Sequence, residues 1–406
     1  MSAAFMPLTS FRRGAVRAVA VILSSILASL LAAACSGGSG PGGAAPASKG
    51  SARPTATGST LAPAAGAWQA VTPGAAGLSA ARLRQIAAQA ERGHSDCLLV
   101  ARYGKIAGEW YFRGTGRDST QNVFSVTKSI TSVLVGIAQD EGDLRISDSA
   151  SKWIPEWKGT PAAAVTVRDL LSNDSGRQWS TKIDYAQLVR ARDRTAFAVG
   201  LKQAQPPGTV WAYNNSAIQT LQRVLQNATG QDVATFARQR LFTPAGMSHT
   251  TMTPDAAGNA QMFQGVLSTC RDMARFGQLM LNRGRLGSTQ IVSAAWVRQS
   301  TGTPSTKLNA AYGYLWWLNH RGVQAGPLAP VTLQQAESPA TPKTRLVPGA
   351  PDDLYWAIGL GNQIVQVDPS SRTVVVRLGV PEVTPRPPTF GPAEASRIVT
   401  QAVIRH

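Results

Sequence analysis

Apolar positions follow two different rhythms along this chain. Ser79 to Arg92 (SAARLRQIAAQAER) repeats at helical spacing, with Ser79 placed to cap the first turn. Cys97–Tyr103 and Ile106–Phe112 are short apolar and aromatic runs split by Gly104-Lys105, which predicts a β-hairpin. Ser125 to Gln139 predicts a long helix closing at Gly142, with Ile130, Val133, Leu134 and Ile137 at core spacing. From about 145 to 300, helical pieces alternate with loops rich in Pro, Gly, Asn and Asp. The pieces are Thr166–Leu171, Asp184–Ala191, Ser216–Ala228, Asp232–Leu241, Cys270–Arg283 and Ser293–Gln299. Strand-like runs return at Gly313–Leu318, Tyr355–Ile358, Gln363–Val367 and Thr373–Leu378, and a helix over Ala393–Ile404 ends the chain. Strands at both ends of a helical middle imply an α+β fold. Its sheet is assembled from about 67–124 and 305–406, with a helical insertion at about 145–300.

The first residues follow another pattern. Arg12, Arg13 and Arg17 precede an uncharged apolar run from Ala18 to Ala34, which ends in small residues directly before Cys35. A basic start, an apolar middle and a small-residue cut predict a secretory signal over 1–34. The cysteine makes it similar to a bacterial lipobox, with Cys35 as the lipidated mature N-terminus. The expected location is therefore the outer side of a bacterial membrane, held there by a lipid anchor. An uncleaved membrane anchor is the alternative, because the run is about long enough to cross a bilayer. The export route stays open. Residues 35–66 are Gly, Ala, Ser, Pro and Thr almost throughout and read as a flexible tether. The folded domain is expected over 67–406.

Composition removes several classes. At 43% apolar residues the chain has material for a core. Three cysteines are too few for a disulfide scaffold, and four scattered histidines form no zinc-hydrolase pair. No metal or organic cofactor is expected. The net charge of +18 is spread out and accompanies no nucleic-acid motif, so neither a nucleic acid nor an obligate protein partner is expected.

Candidate chemistry begins at Ser125-Val126-Thr127-Lys128, an S-x-x-K tetrad opening the long apolar helix. Positions i and i+3 share a helical face about 5–6 Å apart, so the lysine can reach the serine hydroxyl. The helix start also offers N–H groups to an oxyanion. A second match, Ser149-Ala150-Ser151-Lys152, opens no such helix and reads as coincidence. Tyr213-Asn214-Asn215 follows a Pro-Gly turn about 90 residues downstream of Ser125. Gly359-Leu360-Gly361 lies between two strand-like runs, where missing side chains let a substrate approach the backbone.

With these motifs in order, the chain from about Trp68 onward resembles the serine β-lactamase-related hydrolases of the class C type. It is most similar to their esterase and 6-aminohexanoate-dimer hydrolase branch. The Gly265–Gly284 stretch and Tyr312-Gly313-Tyr314-Leu315-Trp316-Trp317 resemble framework segments of that family. The resemblance implies a β-lactamase/transpeptidase-like sandwich, an antiparallel sheet flanked by helices plus an all-helical subdomain. It implies Ser125 as nucleophile forming an acyl-enzyme, with Lys128 and Tyr213 managing its proton. Two divisions of that work are open. Either a lysine depressed by burial is the base, or a charged lysine turns Tyr213 into a phenolate base. Asn215 is expected to hold Lys128 or a substrate amide, or to cap the next helix. Gly359, Leu360 and Gly361 are expected to supply an oxyanion N–H.

The third family motif departs. β-Lactamases and penicillin-binding proteins have Lys-Thr-Gly there; the best match here, Ala357-Ile358-Gly359, lacks the cation. Lys343-Thr344-Arg345 sits in a Pro-rich loop and is discarded. Losing a charge-assisted contact costs roughly 1.5–3 kcal/mol, which favours an ester, amide or short-peptide substrate over a β-lactam or D-Ala-D-Ala. A D,D-peptidase or β-lactamase and a binding lipoprotein with weak turnover are the rivals. Cys97 and Cys270 would pair only if the fold brought them together.

Overall fold

The computed structural model describes residues 67–381 and 389–404. Cys35, the apolar run before it and the tether lie outside these residues. No described helix is long and apolar enough to cross a membrane.

Six strands build the main sheet: β1 (Ser95–Arg102), β2 (Lys105–Tyr111), β3 (Trp317–Leu318), β4 (Tyr355–Gly359), β5 (Gln363–Asp368) and β6 (Thr373–Gly379). Their order is β2-β1-β6-β5-β4-β3, with every neighbouring pair antiparallel. The β1–β2 turn is Tyr103-Gly104, both with positive φ, the two-residue geometry whose twist suits a hairpin. β6 is buried along its whole length, because helices cover both faces.

Helix α1 (Ala80–Arg92) starts as expected, Ser79 accepting a hydrogen bond from the Arg82 amide. Helix α2 (Val126–Asp140) is buried from Val126 to Ala138, its buried Ser129 and Thr131 hydroxyls donating to Leu315 O and Met262 O. Short helix α3 (Asn215–Gln219) lies in the helical part. Helix α4 (Cys270–Leu281) crosses one face of the sheet. A Cβ on its Gly277 would fall 2.5 Å from Val374 Cγ1, so the missing side chain sets how closely they pack. Helix α5 (Pro392–Arg397) lies on the other face, where Ser396 Oγ donates to Gln366 Oε1 at 3.1 Å. Cys97 of β1 and Cys270 at the start of α4 form a disulfide with Cα atoms 6.6 Å apart.

Several expected elements differ, and the helices expected over Asp184–Ala191, Asp232–Leu241 and Ala393–Ile404 each overlap a π-helical turn. The strand expected over Gly313–Leu318 is reduced to Trp317–Leu318. Leu315 takes φ 60° and its amide turns to Leu171 O, which folds the preceding residues into a turn. The helix expected over Ser216–Ala228 is divided at Thr220 into Asn215–Gln219 and Leu221–Thr229.

Candidate active site

Ser125 ends a tight approach and begins a helix. Phe124 before it has φ 47°, a conformation costly for a bulky residue, and its amide donates to Asn122 Oδ1 at 2.7 Å. The next three residues enter α2, so Lys128 projects one turn on from Ser125. Lys128 Nζ donates to Ser125 Oγ at 2.8 Å and to Phe263 O at 2.9 Å. Thr131 Oγ1 holds the adjacent Met262 O at 2.7 Å and so fixes the loop that receives the lysine. Lys128 is 1% exposed, and this burial drives its proton affinity well below the usual lysine range, opposed by the field of Asp184.

Tyr213 closes the group from the helical part. Its ring centroid lies 4.6 Å from Lys128 Nζ. Trp317 stacks on it at 5.7 Å, and Trp179 Nε1 donates to its backbone carbonyl at 3.1 Å. Burial pushes the Tyr213 phenol above its usual range, and the neighbouring Ser125 side chain opposes the rise. With lysine displaced toward the free base and tyrosine toward the neutral phenol, the electrostatics favour Lys128 over a Tyr213 phenolate as base.

The remaining expected residues divide. Asn215 is buried, and its Oδ1 has no hydrogen-bond partner among the described residues. Capping falls to Asn214 instead, whose Oδ1 accepts from the Ala217 amide at 2.8 Å. Gly359 reaches the nucleophile: a Cβ there would lie 2.3 Å from Val123 O and 3.1 Å from the Ser125 amide. Leu360 sits in the turn beyond β4, its carbonyl accepting from Gln363 Nε2 at 3.1 Å. Gly361 faces Pro381 rather than Ser125. Gly359→Ala is expected to push β4 off the nucleophile and lower kcat about 10²–10³-fold, the usual cost of losing an oxyanion donor. Steady-state kinetics would check this, and unchanged kcat would remove Gly359 from the site.

The discarded motifs stay away from the chemistry. Ser149 caps a short 3₁₀ turn, and exposed Lys152 pairs with Asp148 at 3.1 Å. Arg345 pairs with Asp352 at 2.7 Å. Sequence reasoning missed Phe263 O, Trp179 and Asp184. The first acts through its backbone, and no residue type announces that. Asp184 was read only as the first residue of a helical piece, Asp184–Ala191, and it is fully buried in a π-helical turn, Ile183–Gln187.

Comparison with known proteins bears on the family and the fold. The chain is 25% identical over 279 residues to the 6-aminohexanoate-dimer hydrolase of Paenarthrobacter ureafaciens, spanning 61% of this chain and 70% of that protein. It is 29% identical over 230 residues to penicillin-binding protein 4 of Amycolatopsis lactamdurans, spanning 47% and 60%. The fold is shared with a Bacillus anthracis protein assigned as a 6-aminohexanoate-dimer hydrolase. That likeness has a TM-score of 0.60 and 20% identity, covering 79% of this chain and 85% of the other. With residues 49–379 matching the Beta-lactamase family model over the stretch that carries Ser125, Lys128 and Tyr213, this chain belongs to the Beta-lactamase family.

Proposed function

We propose that this protein is an extracytoplasmic serine hydrolase, tethered to the membrane through Cys35, that cleaves esters or short amides through an acyl-Ser125 intermediate. The observation that carries the reading is the 2.8 Å contact between Ser125 Oγ and a buried Lys128 displaced toward its free base. Lys128 takes the serine proton as Oγ attacks the carbonyl carbon. The Ser125 amide, with an N–H from the Gly359–Leu360 backbone, receives the developing oxyanion. The leaving alkoxide or amine takes a proton from the Tyr213 phenol, which the Lys128 lysinium re-protonates; water then gives a proton to the free Lys128 as it attacks the acyl carbon, and Ser125 Oγ takes that proton as it leaves. A disulfide between Cys97 and Cys270 supports an oxidising, exported setting.

Incubating the 67–406 domain with p-nitrophenyl acetate is expected to give steady nitrophenol release. The Ser125→Ala variant is expected to give none, and intact mass should show acetyl on the parent alone. A parent that neither releases nitrophenol nor gains acetyl mass overturns the reading. Penicillin-binding relatives support one rival, a D,D-peptidase. Rapid labelling by fluorescent penicillin would favour it, although no cation stands in Ala357-Ile358-Gly359.

A further inference from the structure

Asp184 is a fully buried carboxylate that the proton transfers above do not use. The hydrogen bonds of its carboxylate run to the segment just after Tyr213. Its Oδ2 accepts from the Asn215 amide, and its Oδ1 accepts from the Ser216 amide at 3.3 Å and the Ser216 hydroxyl at 2.6 Å. Three donors converge on one carboxylate at the start of α3, and a π-helical turn, an uncommon conformation often found at functional sites, delivers it there. Its field acts on Lys128 across the site. The titratable groups around it are Lys128 from α2, Tyr185 beside it on the same turn and, past Tyr185, Tyr213.

We infer that Asp184 is a positioning residue for catalysis: its buried charge stabilises the lysinium that Lys128 becomes on accepting the Ser125 proton. The inference rests on the hydrolase reading and deepens it. A buried lysine alone is easily kept neutral, but the cation it forms in the transition state then has little to balance it. The Asp184 carboxylate supplies that balance without touching substrate. The arrangement parallels an orienting carboxylate behind a catalytic histidine. Burial lifts the Asp184 carboxyl to about 6, while Ser216, the Asn215 amide and Lys128 restrain the rise. Below that pH the carboxyl is neutral and the support is lost, so activity is expected to rise through an acidic limb near pH 6.

Two variants move that limb in opposite directions. Asp184→Asn removes the charge. At pH 7.5 its kcat on p-nitrophenyl acetate should fall at least about tenfold, the equivalent of one unit of lysine proton affinity. KM should hold, and the limb should move to lower pH or vanish. Ser216→Ala keeps the charge but withdraws a donor that favours the ionised form, so the limb should move to higher pH. A purely structural clamp would lower thermal stability in both variants and leave both limbs where the parent has them. Superimposable kcat–pH profiles in an active parent and folded variants overturn the role of Asp184 alone. If Asp184→Asn fails to fold, an unmoved limb in Ser216→Ala still overturns it. A parent without Ser125-dependent release overturns both readings.

Discussion

Lys128→Met is expected to lower kcat for Ser125-dependent ester cleavage about 10³-fold or more, while the chain still folds. Methionine matches the lysine stem in length and needs no partner for a charge. The lost hydrogen bonds are those to Ser125 Oγ and Phe263 O. General-base catalysis alone supplies about 10²–10⁴-fold, and groups acting as a unit lose more than their separate shares. A fall smaller than tenfold would return the proton to Tyr213. Stability should respond with a definite sign. Folding lowers the proton affinity of Lys128, so between its folded value and the unfolded value of about 10.4 the unfolded chain binds the extra proton. Stability therefore rises with pH across that window, and the strain is greatest on its acid side. Melting curves of parent and variant from pH 7 to 10 should shift steadily in the parent's favour. A constant difference would mean that Lys128 keeps its ordinary proton affinity.

Breaking the Cys97–Cys270 disulfide is the second large effect. The bond closes a stretch of 173 residues. The chain-entropy account gives up to about 5 kcal/mol for a loop of that length. For a domain of this size that corresponds to a fall in Tm of about 7 °C. Calorimetry of the oxidised protein, the reduced protein and a Cys97→Ser/Cys270→Ser double variant checks it. The reduced protein and the double variant should agree with each other and lie below the oxidised protein. Equal melting temperatures in all three would mean that the bond constrains nothing in the unfolded chain.

The parts of the site legible in sequence were those fixed by short-range geometry. Three residues of helix bring Lys128 to Ser125, and that separation is written in the S-x-x-K spacing. The hairpin, the Ser79 cap and the buried stripe of α2 are likewise local. For Asn215 a hold on Lys128 or substrate and a cap both stayed open, because Asn214 and Asn215 carry the same side chain and only the backbone makes Asn214 the cap. Asp184 was invisible for a similar reason: Ile183–Gln187 forms a π-turn, which shifts the helical phase, and the carboxylate is buried there. Leu315 interrupted a continuous apolar and aromatic run that read as a strand, because its amide found Leu171 O across the molecule. Register across the sheet was equally hidden, since β1 pairs with β6 rather than with its sequence neighbour alone.

That last pairing bears on how the chain is made. At the end of β1, Arg102 Nε donates to Ser371 O, which lies 269 residues later. At about 5–20 residues per second, synthesis leaves the inner edge of β1 without its partner for roughly 13–54 s. During that interval the hairpin presents an apolar strand with unpaired N–H and C=O groups, the template on which nascent chains join one another. The burden therefore falls on the ribosome-bound chain, which must be kept apart from its copies until Thr373–Gly379 arrives to occupy the vacant edge.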